Sequence, residues 1–322
     1  MKHRTDVERT KDGVRLRSRA LQRRYNLMGF LFASPWIIGF LCFTIIPIVL
    51  ALYYSFTNYN LFNKCDWVGL KNYADMFKDK YIWKSLWNTF YVTIIGTPLA
   101  QIVALILALL LNQKKVKGLP VFRTLFYLPT LVPVVASSML FMWVLNGNYG
   151  LLNTLLGYFG IEGPYWLTDP KFTKISLIMM DTWRCGTVMI IYLAALRAVP
   201  ESLYEAAELD GAGPIRRFFS ITLPYISPTI QFQVIMAMIS NFQYFTQAYV
   251  FASLTDAASG AGAGGGPSNS MLFYCLYLYR KAFAQYKMGY ACAMAVLLAV
   301  IVMVSTALVM HFSEKSVNYD TE

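Results

Sequence analysis

Residues 205–228 read EAAELDGAGPIRRFFSITLPYISP and lie between two stretches apolar enough to cross a bilayer. A plain loop between membrane spans needs only a short polar turn, but this one has helical periodicity. Pro200 can open a helix, because the N–H it lacks would be unpaired in a first turn anyway. Glu201, Glu205, Glu208 and Asp210 give that helix an acidic face, with Leu203, Ala206, Ala207 and Leu209 as its apolar part. Gly211 can close it with a positive φ. Pro214 then starts a second helix, in which Ile215, Phe218, Phe219 and Thr222 recur at the spacing of one buried face. Pro224 and Pro228 are expected to stop it. Three placements suit such a pair: flat in the headgroup layer, against the protein's own helix ends, or in a groove on a cytosolic partner. Four acids on the first helix sit poorly on an anionic inner leaflet.

Working outward, the 322 residues are 57% hydrophobic and only 14% charged, well below the charge of a soluble domain. About 20 apolar residues cross the hydrocarbon, and six segments qualify: roughly 28–56, 87–111, 121–145, 173–197, 228–252 and 288–312. The chain therefore reads as an all-α polytopic membrane protein with six transmembrane helices. Pro35 and Pro47 in the first span and Pro129 and Pro133 in the third predict kinks. The first span is too long for a cleaved signal peptide.

The net charge of +11 does not point to nucleic acid, because nine of the 28 Lys and Arg residues crowd into the first 24 positions, just before the first span. That is the flank of a cytoplasmic N-terminus. With both termini inside, the cytoplasmic segments hold seventeen Lys and Arg, counting Arg197 and Arg123 at helix ends, and the outer loops ten. The expected organisation is a basic tail (1–27), a six-helix domain (28–312) and a short cytoplasmic tail (313–322), with a cytoplasmic loop at 200–227 and a glycine-rich outer loop at 253–287. Trp67, Trp83, Trp87, Tyr158, Tyr165 and Trp166 suit an outer interfacial belt. The run AASGAGAGGGP (257–267) lacks the lysine of a phosphate-binding loop and reads as a flexible external turn.

Cys42, Cys65, Cys185, Cys275 and Cys292 form no C-x-x-C pair, and the spacing of Cys65 and Cys275 does not argue for a bridge. With His3 and His311 the only histidines and no H-E-x-x-H or nucleophile elbow, no catalytic residue and no metal site are expected.

The loop that opened the reading resembles the cytoplasmic signature of permease subunits of binding-protein-dependent ABC importers. Glu205-Ala206-Ala207 is followed by three residues and Gly211, then by nine residues and Ile221-Thr222-Leu223-Pro224. The stretches ASPWIIGFLCFTIIPIVLALYYSFTNYNL, VGLKNYADMF, FRTLFYLPTLVPVVASSMLFMWVLNGNYGLLN, AALRAVPESLYEAAELDGAGP and GGGPSNSMLFYCLYLYRKAFAQYKMGYACAMAV are similar to the maltose-type, carbohydrate-uptake branch. The last resembles the first of the two permeases of such systems. The ASGAGA run before it departs from the pattern and resembles a small insertion.

The resemblance implies a type I importer permease fold in the bacterial cell membrane, with the 200–227 segment as a coupling loop. Glu205 would pair with a basic residue of a separate ATPase subunit, and Ala206 and Ala207 would allow close approach. Asp210 would stand beside Gly211, which makes the turn, and Ile221, Leu223 and Pro224 would anchor the second helix. It also implies two ATPase copies, a second permease, an extracytoplasmic solute-binding protein and a carbohydrate solute. The chain itself would bind no cofactor; ATP and Mg would belong to the ATPase, since no Walker sequence is present.

A sugar path needs polar groups and aromatic faces. Gln233, Ser240, Gln243, Tyr244 and Gln247 fall on or near one face of the fifth span, with Asn241 beside it. They line either a path or a set of interhelical hydrogen bonds. Asp181 and Arg184 are three apart, so they can pair, either on a cavity wall or as a structural ion pair. Arg184 lies roughly 20 Å from the cytoplasmic end of its span, which places it in the outer half. The alternative reading is a secondary transporter driven by an ion gradient, for which Asp181 is the single buried carboxylate candidate.

Overall fold

A computed structural model of the chain describes residues 19–62, 65–113, 117–259 and 264–313. Most of the basic tail, the C-terminal tail from 314 and positions 260–263 of the glycine run lie outside them. Among the described residues the chain is helical throughout, apart from turns and one isolated bridge between Thr57 and Trp67.

Helix α1 runs from Arg19–Phe40 through a π turn, Leu41–Ile45, into Ile46–Ser55. Pro47 follows the π turn directly, where a carbonyl already lacks its usual partner and a missing N–H costs least. The outward apolar surface of α1, including Phe32 and Phe43, is exposed, and its second half packs on the last helix. A short helix α2 (Lys71–Lys78) leads into α3, which joins Lys80–Tyr91 through a π turn at Val92–Gly96 to Thr97–Leu111. Asp79 caps α3 by accepting from the Tyr81 amide at 2.9 Å. The same carboxylate accepts from Tyr277 at 2.5 Å and Tyr290 at 3.1 Å, and pairs with Lys281 at 3.5 Å. One side chain thus ties the start of α3 to the segment before the last helix.

The third expected span is sharply broken. Helices α4 (Leu119–Leu131) and α5 (Val134–Val144) meet at 98°, because Val132 precedes Pro133 and is held extended at ψ 128. After the short α6 (Leu151–Tyr158), α7 (Thr173–Trp183) and α8 (Gly186–Ala198) form the fourth span, bent by 47°. No proline causes that bend. At Gly186 a Cβ would come within 2.2 Å of the Phe126 carbonyl, so the missing side chain lets α4 backbone cross at the joint. Along α3, fully buried Ala104 and Ala108, one turn apart, let it approach the Met189, Tyr192 and Leu193 face of α8. Such small-residue contacts drive helix association where lipid removes the hydrophobic term.

Helix α9 (Glu201–Leu209) is followed by α10, a single rod made of Pro214–Arg217, a π turn at Phe218–Thr222, and Leu223–Phe242. The expected stop at Pro224 and Pro228 does not occur. Pro224 follows a π turn whose Leu223 N–H already reaches back to the Phe218 carbonyl, and Pro228 is carried inside the helix. The rod instead breaks at residues 243–245, inside the expected fifth span, before α11 (Thr246–Ser259). Helix α12, Tyr274–Tyr279 with a π turn at Arg280–Ala284, precedes α13 (Met288–Ser313). Among the described residues three helices are long and apolar enough to cross a membrane alone, and up to five spans result if each bent pair counts as one. The polar residues of α10 keep it out of that set.

The expected flexible turn at 257–267 lies partly outside the described residues, but the segment that follows it is packed. Residues 271–274 are fully buried. Asn88 donates to the carbonyls of Asn269 and Leu272, both at 2.9 Å, and Thr173 donates to Ser270 at 2.8 Å. All five cysteines are free.

Candidate coupling hairpin and polar cluster

Two sites come from the residues singled out by sequence. The first is the hairpin of α9 and the start of α10. Pro200 is the N-cap of α9 rather than its first helical residue. The helix closes on Gly211 at φ +75, with the Ala212 amide bonded to the Ala207 carbonyl at 2.9 Å and the Gly211 amide to the Glu208 carbonyl at 3.0 Å. This is the double bond pattern of a left-handed helix stop. Nothing lies within 4 Å of where a Gly211 Cβ would be, so glycine is needed here for its backbone alone.

Two side-chain pairs that sequence reading missed then staple the hairpin. The Tyr204 and Thr222 hydroxyls bond at 2.8 Å, and Arg217 pairs with Glu208 at 2.5 Å. Both pairs cross the turn, nine to eighteen residues apart, beyond any single-helix spacing. Glu205, Ala206 and Asp210 are exposed, Ala207, Leu223 and Pro224 half-buried. Ile221 packs with Tyr204 and Tyr225 against the α3–α8 core. The stripe expected to be buried is divided: Thr222 is buried and Phe218 half-buried, while Ile215 is 74% and Phe219 62% exposed. With Leu209, 91% exposed, they form an apolar tip that no other described residue covers.

The second site lies where α7 and α10 break. Asp181 Oδ1 accepts from Gln247 Nε2 at 3.5 Å. Tyr244 turns its buried hydroxyl toward Asp181 without reaching hydrogen-bond geometry, and no other group bonds it. Arg184 does not form the expected close ion pair with Asp181. The helix ends at Trp183, and Arg184 leaves helical geometry at φ -89, ψ 15, so the three-residue register is lost. Its Nη1 lies 3.5 Å from the Ser137 hydroxyl of α5 instead.

Asp181, Arg184, Tyr244 and Gln247 are therefore brought together, with Ser137 added. The rest of the polar stripe is elsewhere. Asn241 donates to Thr97 at 2.8 Å. Buried Gln233 accepts at its carbonyl from Gln101, whose own oxygen takes the Tyr192 hydroxyl. Ser240 and Gln243 are exposed. For Asn241 and Gln233 the interhelical reading is the one the geometry fits.

The family described as "Binding-protein-dependent transport system inner membrane component" matches residues 96–317. A probable ABC transporter permease protein of Bacillus subtilis, YesP, is 40% identical over 93% of this chain and 94% of its own length. The lactose transport system permease protein LacF of Rhizobium radiobacter is 34% identical, over 91% and 95%. Among solved structures, a bacterial ABC transporter involved in import of the acidic polysaccharide alginate superposes with a TM-score of 0.74 at 23% identity, over 94% of this chain and 98% of the other. The hairpin signature and the shared fold have a common origin: this chain belongs to the family of inner membrane components of binding-protein-dependent transport systems.

Proposed function

We propose that the chain is one of two permeases of an ATP-driven importer of saccharides, crossing the membrane six times with both termini in the cytoplasm. The observation that carries the reading is the stapled hairpin with its uncovered tip, Leu209, Ile215 and Phe219. A rigid, exposed apolar knob rimmed by Glu205, Asp210 and Arg216 suits a groove on a cytosolic protein better than a lipid surface. The groove would belong to an ATPase subunit, present in two copies, that moves the hairpin when it closes on ATP. An extracytoplasmic binding protein would deliver the solute, and the Asp181–Arg184–Tyr244–Gln247 cluster would line part of its path. The saccharide class is supported by the relatives, which include permeases named for lactose and for arabinooligosaccharides.

The test is uptake by vesicles holding the complete transporter. The reading requires saccharide uptake that depends on ATP and persists when ion gradients are collapsed. Uptake driven by an ion gradient without ATP would overturn it. Leu209→Asp should cut retention of the ATPase subunit on the purified permease about thirtyfold, the effect of losing an interface anchor of about 2 kcal/mol.

A further inference from the structure

Lys174, in the first turn of α7, is half-buried. Its ammonium donates to Asn88 Oδ1 at 3.1 Å and stands 5.0 Å from the centre of the Tyr91 ring. Among the described residues no carboxylate lies within ion-pair distance of it. Among the described residues the charge that bears on it is Lys84, of the same sign, one turn before Asn88 on α3. A half-enclosed ammonium with a like-charged neighbour is costly to keep. It has three donors, of which Asn88 takes one.

The surroundings are built rather than loose. Asn88 is fully buried and holds the Asn269 and Leu272 carbonyls with its amide, while its oxygen holds Lys174. The turn it grips contains two consecutive non-glycine residues in left-handed geometry, Ser268 at φ 52 and Asn269 at φ 57. Such backbone persists where its surroundings impose it, and it clusters at ligand sites. Lys174, Leu177 and Asp181 follow one stripe of α7, at i, i+3 and i+7. Asp181 is thus about 10 Å further along the same face, and Arg184 follows where the helix ends. Asp181 is set against Arg184 and Gln247, whereas no carboxylate among the described residues offsets Lys174.

We infer that Lys174, with Lys84 beside it, is an anion-reading post at the outer end of the path, and that the solute is a saccharide bearing carboxylates. This rests on the importer reading above and narrows its substrate class. A carboxylate arriving at Lys174 supplies the missing counter-charge; a neutral sugar does not, and leaves the ammonium as unsatisfied as before.

The experiment uses the complete transporter in liposomes, with its binding protein, and three probes: digalacturonate, its dimethyl ester and lactose. ATP-driven uptake of the acid should exceed that of the ester about tenfold, one charged contact's worth. Lys174→Met should lower the acid-to-ester ratio about tenfold, and Lys174→Arg should restore it. Because the binding protein is the same throughout, a changed ratio reports the permease. A melting temperature unchanged by Lys174→Met separates this from a structural role. Uptake of lactose or ester equal to that of the acid, or an unchanged ratio in Lys174→Met, overturns the inference. ATP-driven uptake of no saccharide at all would overturn the importer reading instead.

Discussion

The α9–α10 hairpin and the polar cluster are assembled in opposite ways. The hairpin is made by near neighbours in the chain: Tyr204 with Thr222, Glu208 with Arg217, Ala207 with Ala212. It keeps its apolar tip in the open. The cluster draws Ser137, Asp181 and Gln247 from three helices and Arg184 and Tyr244 from the breaks beside them, and buries much of what it gathers. Local assembly permits a part that moves as a unit against another protein. Long-range assembly makes a part whose geometry changes when helices shift against one another. A transporter that converts docking into passage needs both.

The contrast can be broken most forcefully at Gly211. Gly211→Val forces a β-branched residue to φ +75, at roughly 1–2 kcal/mol of backbone strain. Insertion into the membrane should be normal, while ATP-driven uptake should fall about tenfold or more with hydrolysis no longer tied to solute. Gly211→Asn, which tolerates the left-handed region, should keep most of the activity; equal loss in both would assign the defect to the added side chain. At the cluster, Arg184→Gln should change relative uptake rates across a solute panel severalfold, a few donors being lost from a polar site, with assembly intact. Unchanged preference would return Arg184 to a purely structural role.

Smaller effects test the staples. Tyr204→Phe removes one hydrogen bond across the hairpin, worth about 1 kcal/mol. It should increase solute-independent hydrolysis modestly, read as the ratio of basal to stimulated ATPase rates. Asp79→Asn should act mildly and with a defined pH dependence. Burial raises the Asp79 carboxyl, but hydrogen bonds from Tyr277 and the Tyr81 amide and the charge of Lys281 outweigh it and hold it below its ordinary 3.8. A depressed carboxylate stabilises the fold above its ordinary value and loses that contribution as pH falls through the lowered one. Thermal melting should therefore separate wild type from Asp79→Asn at neutral pH, and the gap should close below pH 3.8.

How much could be read from sequence follows the same division. The hairpin was legible because helix stops are local: Gly211 takes the positive φ expected of it, and Pro214 begins α10. The spans with uninterrupted apolar runs, α1, α3 and α13, were equally legible. Breaks imposed by neighbours were not. Nothing near Arg184 in the chain announces that the α4 backbone crosses at Gly186, and nothing near Gln243 announces the end of α10. The reading of Pro224 and Pro228 as stops failed because a π turn absorbs the first and neighbouring helices tolerate the second. Asn88 and Lys174 were overlooked, although a lone amide inside an apolar run and a lysine at a span's edge are themselves signals. Their partners lie 86 to 184 residues away, out of reach of any local pattern.

The unbroken course of α10 has a consequence of its own. From Pro214 to Phe242 it extends about 40 Å, more than the hydrocarbon thickness of a bilayer. Its lower end is part of the hairpin and its upper end borders Gln243, Tyr244 and the cluster. No break in the helix separates the two, so a tilt imposed at the hairpin tip swings the far end through a proportionate arc. With the hairpin docked on a motor subunit as proposed, the signal to the solute path would need no relay of rearranging side chains: a single strut would carry it, and its stiffness would set how faithfully hydrolysis is converted into passage.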